Sequence, residues 1–139
     1  PLKMLHNDSG KFESAFLNVE IPANNSVMLQ DMQGKRLGVW IAHGEGKFSF
    51  PCYKDNYQIV MSYGQSEYPG NPNGSDWDVA AISSNNGRHL AMMPNLERAF
   101  LPWQWAYYPE GRSQDEVSPW IEAFVNARKW IEEKKNIKA

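Results

Sequence analysis

Residues 36–42 read RLGVWIA, a near-continuous apolar run that ends against His43. Seven residues make a strand length rather than a helix length, and a strand without polar alternation is one covered on both faces. DVAAISS at 78–84 has the same character, and NNGR at 85–88 turns it into HLAMMP at 89–94, which predicts a β-hairpin. Strands buried on both faces need layers on both sides, so these runs predict an α/β fold.

Working outward, FESAFLNVEI at 12–21 alternates and reads as a half-exposed strand closed by Pro22. NNSVMLQDMQGK at 24–35 reads as a short helical turn or loop, and NYQIVMSY at 56–63 as a further strand. HGEGKF at 43–48 is expected to stop the strand before it, because Gly44 and Gly46 admit tight backbone geometry. GQSEYPGNPNGSDW at 64–77 carries Pro-Gly, Asn-Pro and Asn-Gly pairs and predicts a long loop. An aromatic loop, FLPWQWAYYPEG, occupies 100–111.

One helix is predicted from its start: Ser118 as N-cap and Pro119 at the first helical position, where a missing N–H does no harm. Trp120, Phe124, Ala127 and Ile131, with Ile121 and Val125, form its apolar face; Glu122, Asn126, Lys129 and Glu133 fill the other side. Lys134, Lys135 and Lys138 suit the negative pole of the dipole. One helix is too few for a sheet buried on both faces. The expectation is therefore a single domain over residues 1–139, a mixed sheet with a C-terminal amphipathic helix, in which N-terminal strands and helices are missing.

The chain has 139 residues, 42% hydrophobic and 22% charged, with a net charge of −2. That balance is globular, and it lacks the basic face that nucleic acid or an anionic membrane surface demands. No apolar run approaches the roughly 18 residues needed to span a bilayer, and the N-terminus shows no signal pattern. A cytoplasmic location is expected. The single cysteine, Cys52, has no partner for an internal disulfide, which fits a reducing compartment. Asn-x-Ser triplets at Asn7, Asn24 and Asn73 read as turns rather than glycosylation acceptors.

Polar groups sit just beyond strand ends, where open α/β sheets place function. His43 and Glu45 fall short of a metal site, since no further Cys or His completes one, and the glycines around them read as a tight turn before an anion cradle. FPCYKD around Cys52 lacks the small flanking residues of a nucleophile elbow. The aromatic loop either stacks a ligand or packs on a neighbouring surface. Asn95 and Glu97 lie two apart, so in strand-like geometry they address one side. As isolated residues they read as loop polars.

Taken in order, IAHGEGKF, NPNGS, VAAISSNNGRHLAMMP and the ER of NLER resemble the glutaminase domain of phosphoribosylformylglycinamidine synthases, from about Phe12 to the final helix. The resemblance implies a class I glutamine amidotransferase of flavodoxin-like α/β fold. That domain hydrolyses glutamine through a Cys, His and Glu triad and passes ammonia to a synthetase domain, where ATP and Mg are used to make formylglycinamidine ribonucleotide in purine biosynthesis. The implied partners are glutamine and that synthetase domain, and no cofactor is expected in this chain. By the resemblance Glu97 falls on the triad acid and Asn95 on the place of the histidine, while His43 and Glu45 line the glutamine pocket or face the synthetase domain. The nucleophile elbow would precede this segment, so the isolated chain is expected to be inactive. A sheet edge left open could pair with a second copy as a homodimer.

Overall fold

Alternation in residues 13–20 sorts the side chains of β2 (Glu13–Glu20) between two faces, as a pleated strand requires. Ala15, Leu17 and Val19 join Leu37, Val39 and Ile41 of β3 (Arg36–His43) in the main core. Phe16 and Trp40 lie opposite each other on the other face, with ring centroids 5.1 Å apart, and Trp105 covers Phe16 at 5.7 Å. Gly38 is needed there because a Cβ would overlap the Phe16 ring.

In this computed structural model, which describes residues 1–138, the remaining elements are β1 (Lys3–His6), β4 (Glu45–Ser49), β5 (Gln58–Tyr63), β6 (Val79–Ser83), β7 (Leu90–Met92) and the helix α1 (Ile121–Lys138). Ala139 and the side chain of Lys138, the last member of the basic run, lie outside the described residues. Five strands form a sheet in the order β3-β2-β5-β6-β7, and β1 pairs with β4 in a second, two-stranded sheet. Every one of these strand pairs is antiparallel.

The core has two parts. The larger is built on β2, β3, β5 and β6 and is closed by Leu29 and Met32 from the segment after Pro22, by Leu96 and Ala99, and by Trp120 and Ala123 of the helix start. The smaller sets Phe48, Phe50 and Val79 against Ile59, Ile82 and Met93. β5 and β6 contribute to both, which is why their sequences are apolar without alternation. The second layer expected from further helices is thus supplied by β4 and by loop residues.

The edge strand β3 would expose unpaired carbonyls. Asn95 donates its backbone N–H to the Trp40 carbonyl at 2.8 Å, in an isolated antiparallel bridge, and the Trp120 indole N–H donates to the Gly38 carbonyl at 2.8 Å. Ser118 caps the helix as predicted, its hydroxyl accepting from the Trp120 backbone N–H at 3.3 Å.

Three expectations need correction. HGEGKF does stop β3, at His43 before the Gly44 bend, but where a tight turn was expected a further strand, β4, starts at Glu45. Gly46 fits inside that strand because a Cβ there would sit 2.5 Å from Met93 Cε and 3.2 Å from His43 Nδ1. The buried stripe of the helix starts at Trp120 and Ala123, whereas Phe124 and Ile131 remain 41% and 49% exposed. Asp78 stands outside β6 in a left-handed conformation, φ 60°, as does Trp77, φ 52°; Asn71 and Ser66 hold the Asp78 carboxylate in place.

Trp120 carries both core packing and an edge bond, so Trp120→Ala should cost about 3–5 kcal/mol, read as a lower urea midpoint at unchanged slope. Gly38→Ala should cost about 1–3 kcal/mol through overpacking on Phe16, and the double variant with Phe16→Leu should recover part of that loss.

Candidate functional site

β7 stops at Met92, and Pro94, buried and without an N–H, leads the chain into a 3₁₀ turn over Leu96–Arg98. Asn95 is fixed at its start by the bond to Trp40 and by the Arg98 N–H, which donates to its carbonyl at 3.1 Å. Its side-chain Nδ2 donates to Glu97 Oε1 at 3.1 Å. The two residues therefore do meet, through the turn rather than through strand periodicity. Glu97 is exposed, and Gln104 Nε2 donates to its backbone carbonyl at 3.4 Å.

Below the turn, Ala99 O accepts from the Trp105 indole at 2.7 Å and from the Ser118 hydroxyl, and Trp40 donates its indole N–H to Gln104 O at 2.6 Å. The aromatic loop is thereby tied to the floor of the Asn95–Glu97 turn. Trp103 and Tyr107 point away, 78% and 69% exposed.

Glu97 thus holds the side chain two residues upstream, and that side chain is an amide, which takes no proton near neutral pH. Asn95 Oδ1 is buried and has no hydrogen-bond partner.

His43 and Glu45 are separated by the Gly44 bend and do not meet. His43 is buried, its Nδ1 lying 3.1 Å from Asn7 Oδ1 and its Nε2 unpartnered. Glu45 points outward, paired with His6 at 3.5 Å. Burial lowers the His43 pKa below its ordinary value, against opposing contributions from a backbone hydrogen bond and from the Glu13 charge. Such a group is neutral at physiological pH.

Two residues of this region carry more than sequence reasoning gave them. Asn7 donates Nδ2 to His43 O at 2.7 Å and to Lys11 O at 3.0 Å, and its backbone N–H to Gly44 O at 3.0 Å. Asn73, fully buried, donates to Gly46 O at 2.8 Å and accepts from the Ser75 backbone N–H and hydroxyl at 3.0 and 2.8 Å. Three carbonyls of HGEG are thus satisfied by two asparagines. The one available signal was that Asn7 and Asn73 both stand in Asn-x-Ser triplets, which also describes ordinary turns.

Cys52 is exposed in a bend beyond the end of β4, whereas the Asn95 turn belongs to the β3 edge of the five-stranded sheet. Among the described residues no three His, Cys, Asp or Glu side chains come together to hold a metal ion, and no helix is long and apolar enough to cross a membrane.

The family described as the CobB/CobQ-like glutamine amidotransferase domain matches residues 1–131. A probable phosphoribosylformylglycinamidine synthase of Arabidopsis thaliana, named as chloroplastic/mitochondrial, is 43% identical over 94% of this chain and 10% of that protein. The human phosphoribosylformylglycinamidine synthase is 41% identical over 93% of this chain and 10% of its own length. The chain spans about a tenth of these relatives. In the solved structure of PurLQS from Thermotoga maritima, 94% of this chain superposes on 53% of one chain with a TM-score of 0.67 at 22% identity, a likeness of fold. The match over residues 1–131, with relatives above 40% identity across more than nine tenths of the chain, places this chain in the CobB/CobQ-like glutamine amidotransferase domain family, similar to part of the phosphoribosylformylglycinamidine synthases.

Proposed function

We propose that this chain is part of the glutaminase unit of a cytoplasmic phosphoribosylformylglycinamidine synthase, supplying ammonia from glutamine for ATP-dependent formation of formylglycinamidine ribonucleotide. The observation that carries the proposal is the Asn95–Glu97 contact at a fixed strand end, in a chain of this family. Glutamine and a synthetase domain of the same enzyme are its partners. ATP and Mg belong to that synthetase domain.

Within the unit, Glu97 orients the side chain at position 95, and the HGEG segment lines the glutamine pocket through His43, with Glu45 facing outward towards the synthetase domain. Cys52, the only cysteine of the chain, is exposed in the bend after β4, away from the β3 edge that the Asn95 turn caps, so we do not assign it as the nucleophile. A thiolate from elsewhere in the enzyme is required for covalent attack on the glutamine amide. A homodimer built on a sheet edge would use the three-residue β7 or the exposed β1, because the β3 edge is already covered.

Asn95 also supports a second reading, in which the unit keeps its fold and its contacts but has lost hydrolysis. General acid-base help contributes on the order of 10² to 10⁴ in rate. Ammonia release from glutamine by the 139-residue chain alone should therefore stay at background. In the complete synthase, Asn95→His should raise glutaminase turnover by about 10² or more, and adding Glu97→Gln should remove most of that gain. No gain with Asn95→His would favour the second reading.

A further inference from the structure

β1 and β2 on one side, and β3 and β4 on the other, form a single antiparallel ribbon broken between His6 and Glu13 and at Gly44. Asn7 bridges that break. Its Nδ2 is committed to two carbonyls, of His43 and Lys11, which settles the orientation of the amide and leaves Oδ1 facing the imidazole at 3.1 Å. An amide oxygen only accepts, so the proton between them belongs to His43 Nδ1. The other ring nitrogen, Nε2, is then a bare lone pair in the neutral ring, buried, with no partner in the chain.

We infer that Asn7 is a positioning residue that fixes His43 as its neutral Nδ1–H tautomer, so that the HGEG segment offers glutamine a hydrogen-bond acceptor at Nε2 and no proton. The inference deepens the pocket reading given above and rests on it for the identity of the donor, an N–H of the amino-acid substrate. A buried polar atom left without a partner in a well-packed fold marks a place where a partner arrives.

The groups that face the ring agree. Gly46, where a Cβ would lie 3.2 Å from Nδ1, brings no charge. Glu13, its neighbour across the β2–β3 ladder, pulls towards the imidazolium, but its carboxylate is shared with the Tyr68 hydroxyl at 3.3 Å. Glu45 is turned outward to His6. Desolvation outweighs the Glu13 charge, so His43 gains a proton only below its ordinary range. The imidazolium would also bury an Nε2–H without an acceptor.

The test uses the chain labelled with ¹⁵N-histidine, whose three imidazoles are separable in a long-range proton–nitrogen correlation spectrum. His43 should show a protonated Nδ1 and a bare Nε2 from roughly pH 8 down to pH 6, with exposed His6 and His89 as references. Asn7→Asp, which presents a carboxylate to the ring, should convert His43 to the imidazolium in that range. An Nε2–H tautomer or an imidazolium in the unmodified chain, or an unchanged pattern in Asn7→Asp, would overturn the role of Asn7. In the complete synthase, Asn7→Asp should weaken L-glutamine binding about tenfold by calorimetry, since the acceptor is lost. Unchanged affinity alongside a converted ring would overturn the substrate contact, and the pocket reading with it, while leaving the tautomer intact.

Discussion

The outer edge of β3 is the constraint on which the rest of the arrangement depends. A five-stranded antiparallel sheet must do something with the carbonyls of its last strand, and here those of Gly38 and Trp40 are taken by a tryptophan indole and by the backbone of Asn95. The polar turn is therefore not an appendage. It is the cap of a sheet edge, and its side chains inherit the rigidity of the strand it covers. The same edge orders the aromatic loop, because Trp40 reaches Gln104 and Trp105 reaches Ala99.

The second organising element is the buried amide network around HGEG. Glycine at 46 lets Met93 and His43 approach the backbone, but a strand interrupted by a bend leaves carbonyls facing inward. Asn7 and Asn73 satisfy them, and Ser75 extends the network to the Phe48 N–H at 2.9 Å. Each amide is used on both its donor and its acceptor side, so removing either would strand several buried groups together. Coupling of this kind joins the two sheets at a place where neither has much apolar surface.

The strands with strong patterns were legible: the alternation in 12–21 and the apolar runs at 36–42 and 78–84 each hold a strand, although β3, at the sheet edge, buries Val39 and Ile41 on one face and leaves Gly38, Trp40 and Ala42 half-buried on the other. β1 was not, because Lys3–His6 is an exposed edge strand whose four residues have no periodic pattern. β4 was hidden by its glycine, which reads as a turn until Met93 is seen filling the space. The helix was found at its capped start, but its buried stripe was not, because Ala123 carries little apolar weight in a sequence and Phe124 beside it carries much. At the site, the Asn95–Glu97 pairing followed from spacing, although a 3₁₀ turn makes it. Asn7 and Asn73 acquire their importance from chain segments tens of residues away, which no local pattern records.

Sequence separation along the β3 edge also bears on how the domain reaches this state. The ladders between neighbouring strands close over at most 46 residues, from Lys3 to Ser49, while the indole of Trp120 meets Gly38 across 82 residues and Asn126 meets Met28 across 98. Contacts of such span are the costly ones in loop-closure entropy and the late ones in folding. During synthesis from the N-terminus, β3 is made long before Trp120 leaves the ribosome, and until then its outer carbonyls stay open to water or to another strand. Docking of the helix start, through Ser118 on the Ala99 carbonyl and Trp120 on that of Gly38, therefore completes the edge that the polar turn only half covers.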